Sequence, residues 1–521
     1  MGLVSLDYAI VGAYAGLLIA IATIVSRLQK GRRRDSSDYF LAGRALPWWA
    51  IGASLIAANI SAEQVIGMSG SGYAIGLAIA SYEWMAAATL LIVGKYFLPI
   101  FLEKRIYTMP QFLAERYDGA VRTVMAVFWL GVYTFVNLTS VLWLGALTIN
   151  TLTGLDLTLG LLALAAFALA YSLYGGLKAV ALTDVIQVAM LVAGGLLIAW
   201  LSLDAVAGGA SPVAGFAELL RRAPEKFDMI LSRDDPNWRF LPGLSVLLGG
   251  MWIMNLSYWG FNQYIIQRAL AARSLAEAQR GVAFAAFLKL LVPVLVVLPG
   301  IAAFVLEPDL GKADLAYPTM MGLAPAGVKG LIFAALVAAI VSSLGSMMNS
   351  IATIVTMDLF KALRPAAGER ALVAVGRIAA FSALAVAVAA ARPLLGKAEQ
   401  AFQFIQEFTG FFTPGIVVLF VLGMFWKRAT AFAALAAAIG SAAFSLAFKI
   451  WAPEIPFMNR VGYVFLLCTA LAIAVSFLFA HKPVHDKAIR LDAVRFETGA
   501  GFNICAAAIA AILIVLYWRF W

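Results

Sequence analysis

The chain has little charge. Asp, Glu, Lys and Arg make up 13% of its 521 residues against 63% hydrophobic ones, too few to clothe a water-soluble fold of this length. It is also poor in the residues on which many enzymes and metal sites depend. Its two histidines, His481 and His485, share one basic loop with no third ligand at a suitable spacing, which argues against a metal site. Its two cysteines, Cys468 and Cys505, each stand alone in an apolar stretch, which excludes a disulfide framework. No GxxxxGK[ST] occurs, so ATP hydrolysis on this chain is not expected, and no catalytic constellation appears; the chain does not read as an enzyme. The ten-residue alternation of a membrane β-barrel is missing too. The N-terminus lacks a basic region and a small-residue cleavage site, so its first apolar run reads as retained.

In their place are apolar runs of about 20 residues, the length that crosses a bilayer as helix. They fall near residues 7–27, 45–72, 77–102, 120–149, 157–176, 179–203, 242–266, 280–306, 327–357, 371–392, 399–426, 429–448, 459–480 and 499–521. The fold class is therefore an all-α integral membrane protein of about 14 transmembrane helices. The net charge of +10 would suit nucleic acid in a soluble protein, but here Lys and Arg fall in short loops, where they set topology, so no nucleic-acid partner is expected. The first loop holds Arg27, Lys30, Arg32, Arg33 and Arg34, and its set of alternate loops is the more basic by about two to one. That face reads as cytoplasmic, with both termini outside. The long loop 204–241 reads as a partly ordered outer cover.

Two spans are interrupted alike. The second breaks at AANISAEQ and the seventh at GGMWIMNLSYWGFNQY, and five spans separate their starts. Broken helices in matching halves point to an inverted-repeat transporter with its site at the midplane, where freed carbonyls can meet a small cation. In the ninth span Ser342, Ser346 and Asn349 share a face, and the adjacent hydroxyls of Ser342 and Ser343 could join the carbonyls of Ala57 and Ile60 as neutral oxygen ligands. Small polar residues also act as interhelical glue, and that reading stays open. Glu83, Lys289 and Asp184 lie within apolar runs, where charge is costly and marks a polar pathway or an ion pair; Asp184 sits close enough to the cytoplasmic end to be hydrated. Gln64, Asn137, Asn255, Gln403, Gln406 and Glu407, with Tyr82, Tyr258, Trp259 and Phe402, have the composition of walls for a neutral polyol.

The segments SLIAANISAEQVIGMSGSGYAIGLAIASYEWM, FVNLTSVL, YWGFNQYIIQR, VSSLGSMMNS and FQFIQEFTGFFTPG resemble the sodium/solute symporter family, in its bacterial sodium/glucose and sodium/galactose branch, from about Asp38 to the last span. The resemblance implies a LeuT-like five-plus-five inverted repeat with flanking helices. The organisation then becomes an extra helix and basic loop (1–44), a first repeat (45–203), an extracellular loop (204–241), a second repeat (242–426) and three extra helices (427–521). It implies a sodium-coupled importer of a neutral sugar in a bacterial inner membrane, with sodium as coupling ion and no organic cofactor. Sodium would meet Ala57, Ile60, Ala339, Ser342 and Ser343, and leave past Asp184. The sugar would meet Gln64, Glu83, Asn137, Asn255, Lys289 and Gln406. Tyr258, Trp259 and Asn59 would form the inner gate; Met68, Tyr82 and Phe402 the outer. One departure is Ala86, where the galactose pattern has Ser, so one hydroxyl contact to that sugar is missing. The same fold could carry myo-inositol, an amino acid or a carboxylate. A proton-coupled carrier using Glu83 or Asp184 leaves the paired serines unexplained, and a channel or receptor differs from a carrier only by flux.

Overall fold

The computed structural model describes residues 2–28, 44–396, 400–479 and 487–521, with side chains except at 18, 19, 21–28 and 171–183. The basic cluster from Lys30 to Arg34 and both histidines lie outside the described residues.

The described residues are helical, with no named strand among them. Among the described residues nine helices are long and apolar enough to cross a membrane, or eleven if each of two bent pairs counts as one crossing. One bent pair is the second expected span: Trp48–Asn59 and Glu63–Ala74 meet at 63°. The seventh is broken too, running as Gly250–Leu256, a π-helical turn at Ser257–Phe261, an extended Asn262 and then Gln263–Leu270. The fifth and sixth expected spans differ from the sequence reading. They form one helical run, Leu157–Val206, without the break expected between 176 and 179. Its 50 residues correspond to about 75 Å of straight helix, more than twice the hydrocarbon thickness.

The second and eighth spans pack most tightly where Gly300 lies against the backbone of Ser69; a Cβ there would stand 2.1 Å from the Ser69 carbonyl. The loops sort into two groups. In one, Leu3 N–H bonds Leu152 O (3.1 Å), Asp7 accepts from Gly327 N–H (2.7 Å), and Lys226 reaches Ala74 O (2.8 Å). In the other, Leu46 N–H bonds Ala271 O (3.1 Å), Lys487 reaches Tyr117 O (2.8 Å), and Gln279 reaches Glu497 O (3.2 Å). The loop after Val206 is ordered as expected of a cover: it carries the helix Pro212–Arg222, and Met229 N–H bonds Phe520 O (2.8 Å).

Candidate functional site

The break in the second span sets the site. Helix Trp48–Asn59 stops at Ile60, whose backbone is extended (φ −73°, ψ 94°), and the chain re-enters helix through a π turn at Glu63–Met68. A π turn adds a residue to the turn and rotates the face that follows, and such turns gather at functional positions. Three of them present candidate residues here: Gln64 and Met68 at 63–68, Asn137 at 133–138, and Tyr258 and Trp259 at 257–261.

Between the two broken spans lies a cavity lined by Gln64, Glu83, Asn137, Asn255 and Gln406, five of the six residues expected to touch a sugar. Lys289, the sixth, does not line the cavity; it is fully buried behind two residues that do, ion-paired with Glu83 and donating to Asn59. Asn59 in turn donates through Nδ2 to the Tyr258 hydroxyl at 3.0 Å. Cation, carboxylate, amide and phenol thus form one chain from the cavity wall to the expected inner gate. Lys289 Nζ also lies 4.9 Å from the Trp259 ring centroid, and Trp259 packs edge-on against Tyr258 at 5.1 Å. On the opposite side Tyr82 meets Phe402 edge to face at 5.1 Å, and Met68 is fully buried nearby in sequence to Gly67, which abuts Phe402. Ala86 lines the cavity with a methyl group.

Ser343 faces the break, its hydroxyl within 3.3 Å of Ala57 O and 3.4 Å of Ala58 O. Ala339 is buried one turn earlier on the same helix. Ser342 turns elsewhere and donates to Asp184 at 2.5 Å. Asp184 is not at a hydrated interface, as its place in the sequence suggested; it is fully buried and also accepts from Ser54 at 2.5 Å. Ser54 receives Arg268 Nε at 3.2 Å, and Arg268 reaches Ser346 and the Tyr264 carbonyl. Burial is tolerable because the carboxylate is held by two hydroxyls with a guanidinium behind one of them.

Other expectations fare differently. Glu407 is not on the cavity wall; it pairs with Arg460 (2.7 Å) and Lys449 (3.1 Å) from neighbouring helices. Gln403 is buried without a hydrogen-bond partner for either amide atom. Three further residues at the site were not assigned a place in it by the sequence reading. Glu63 lines the cavity and accepts from Ser140. Tyr264 shares a 2.7 Å hydrogen bond with Tyr258, and Tyr133 donates to Asn262 at 2.7 Å, pinning the break in the seventh span. Glu63 stood in the polar stretch that marked the second span; the two tyrosines carried no signal beyond being polar aromatics in an apolar chain.

Two broken helices around a buried polar cavity, closed on one side by hydrogen bonds and on the other by aromatic contact, define a membrane carrier. The model of the sodium:solute symporter family matches residues 39–440, and the chain belongs to that family. It is 51% identical over 539 aligned positions to a sodium/glucose cotransporter of Vibrio parahaemolyticus, covering all of this chain and 99% of that one. A sodium/myo-inositol cotransporter 2 of Mus musculus is 35% identical over 81% of this chain and 66% of its own. Among solved structures, a Na+-coupled sialic acid symporter in an outward-open state superposes with a TM-score of 0.80 at 23% identity, over 91% of this chain and 98% of that one. That likeness carries the fold alone: an all-helical, LeuT-like arrangement.

Proposed function

We propose that this chain is a sodium-coupled symporter that imports a neutral hexose, glucose first, across a bacterial plasma membrane by alternating access. The observation that carries the reading is the cavity itself. Eight amide and carboxylate side chains line it, no Lys or Arg does among the described residues, and the buried Lys289 behind it is already paired with Glu83, which suits an uncharged polyhydroxy ligand better than an anion. The Vibrio relative named for glucose supports the same choice, and the Ala86 methyl offers no hydrogen bond to a sugar that needs one there.

Sodium would occupy the gap between the broken second span and the ninth, meeting Ala57, Ile60, Ala339, Ser342 and Ser343, and leave along Asp184. Ser343 already points at the Ala57 carbonyl, and the Ser342–Asp184 hydrogen bond gives a departing cation a carboxylate to move toward. Sodium bound there fixes the angle of the second span, and so the position of Gln64 and Asn59 on the cavity wall. Tyr258, Asn59 and Trp259 would open inward; Met68, Tyr82 and Phe402 outward. At about 100 mV one charge gains about 2.3 kcal/mol, and a tenfold sodium gradient adds about 1.4, enough for several-hundredfold accumulation at one ion per sugar. The architecture would be fourteen crossings, with five-helix repeats at 45–203 and 242–426 and both termini outside; the run Leu157–Val206, whose two flanking loops fall in the same group, would fold back on itself to supply two of them. The sorting of loops into two groups supports that count.

A second reading, a cyclitol such as myo-inositol, is favoured by the 35% identical relative and by the same unhydroxylated Ala86 wall. Uptake of labelled glucose, galactose and myo-inositol into liposomes tests both. An inward sodium gradient should drive glucose accumulation, and matched potassium should not. Accumulation of myo-inositol alone moves the substrate to the cyclitols, and uptake driven by a proton gradient without sodium overturns the coupling.

A further inference from the structure

Away from the transport cavity, four segments remote in sequence close round a cleft of about 710 Å3 on the face that the loop charges assign to the cytoplasm. Arg44 precedes the second span, Arg105 follows the third, Arg273 precedes the eighth and Arg495 precedes the last. Among the described residues, Glu103 is the one acidic residue lining it. Arginines that only set topology can sit anywhere in their loops; they have no reason to converge, and like charges in one cleft repel.

The cleft is also built at some cost. Arg44 and Arg105 adopt left-handed backbone, with φ of 53° and 49°. Residues with a Cβ seldom do so, and the conformation is strained. The two are tied together, since the Arg44 guanidinium donates to Arg105 O at 2.5 Å while lying 5.5 Å from the Tyr107 ring centroid. Arg273 is braced by Glu277 at 3.2 Å. Arg105 and Arg495 form no ion pair among the described residues. Two guanidiniums are thus held by protein partners, and two are left for a ligand. A guanidinium fork matches two phosphate oxygens at once.

We propose that this cleft binds a phosphate anion. Its sources are the headgroup of an anionic phospholipid from the inner leaflet and a soluble phosphate ester. The apolar wall of Pro99 and Leu102, at the end of a span, lets an acyl chain continue from the headgroup into the bilayer. Because the segments belong to the second, third, seventh and eighth spans as well as the last, a bound phosphate ties together elements that also frame the transport cavity.

The test uses the full chain in nanodiscs. Retention of phosphatidylglycerol is read by native mass spectrometry, and binding of glycerol 3-phosphate is read by thermal shift in purely zwitterionic discs. R495Q, at an exposed loop residue, and R105N, which suits left-handed backbone, should each weaken binding about fivefold. E103Q should strengthen it. Phosphatidylglycerol retention that follows this order identifies the lipid source; a thermal shift with glycerol 3-phosphate that follows it identifies the soluble one. If neither ligand distinguishes wild type from R495Q, R105N and E103Q, the site does not exist.

Discussion

In the proposed transport cycle the two sides of the cavity, the inward one at Tyr258 and the outward one at Tyr82, rest on different chemistry. The inner side is a hydrogen-bonded chain, Glu83 to Lys289 to Asn59 to Tyr258 to Tyr264, in which each polar atom named has a partner. The outer side is apolar contact: Tyr82 against Phe402, with the Tyr82 hydroxyl buried and unpartnered. A hydrogen-bonded gate has a few discrete arrangements and responds to what enters the polar cavity; an apolar gate responds to area buried. Ligand binding can therefore act directly on the inner gate, while the outer one closes wherever its surfaces meet.

The contrast breaks most severely at Lys289. K289M leaves Glu83 buried without its cation and should cost about 3–5 kcal/mol of stability; with Glu83 and Asn59 no longer held, sugar binding should fall more than a hundredfold, and K289M/E83Q should recover part of both. Binding by equilibrium dialysis checks both variants. S343A removes the hydroxyl nearest the Ala57 carbonyl and should raise the sodium concentration for half-maximal uptake about tenfold. The paired phenols sharpen the comparison directly. Y258F loses an acceptor for Asn59 and the bond to Tyr264, about 1 kcal/mol, and should speed sugar exit about fivefold. Y82F removes a hydroxyl with no partner and should change exit less than twofold; equal effects of Y258F and Y82F on efflux would mean that the gates do not differ in kind.

A separate effect is in pH. Asp314, in the loop that caps the outer half of the second span, is buried where a Cβ on Gly70 would stand 2.7 Å from its Oδ1. Burial pushes its carboxyl up to about 7, against a lowering by Ala401 N–H, which donates to it at 3.3 Å. If outer opening hydrates this group, its carboxyl returns to the ordinary range near 3.8. Closing then takes up a proton between those values, so the closed contact tightens as pH falls from about 7 and is weakest, and flat, above it. Labelling of an outer-cavity cysteine should rise with pH toward 7, and D314N should abolish that slope.

Much of this was legible in the sequence because polar residues in an apolar chain have to be satisfied. Asn59, Ser61, Glu63 and Gln64 marked the break in the second span, and Glu83 and Lys289 stood out as buried charges, each supplying the other's counter-charge, with Glu83 on the cavity wall. Partner choice was not legible. That Ser342 turns to Asp184 while Ser343 turns to Ala57, or that Tyr264 completes the Tyr258 network, depends on the register of helices far apart in the chain. The π turns compound this, since one extra residue swings Asn137 or Tyr258 onto a face that a 3.6-residue period does not assign to it. Asp184 was misplaced for the same reason: its distance from a loop suggested water, but Ser54 and Ser342 enclose it.

The central claim is that sodium at the broken second span shapes the sugar cavity, and linkage makes the effect reciprocal. The direct measurement is glucose affinity in sodium and in potassium, for wild type and S343A. Sodium should tighten glucose binding in wild type by the same factor by which glucose tightens sodium, and S343A should lose most of that factor while binding glucose normally in potassium. Glucose affinity that is the same in sodium and potassium for wild type would contradict the account.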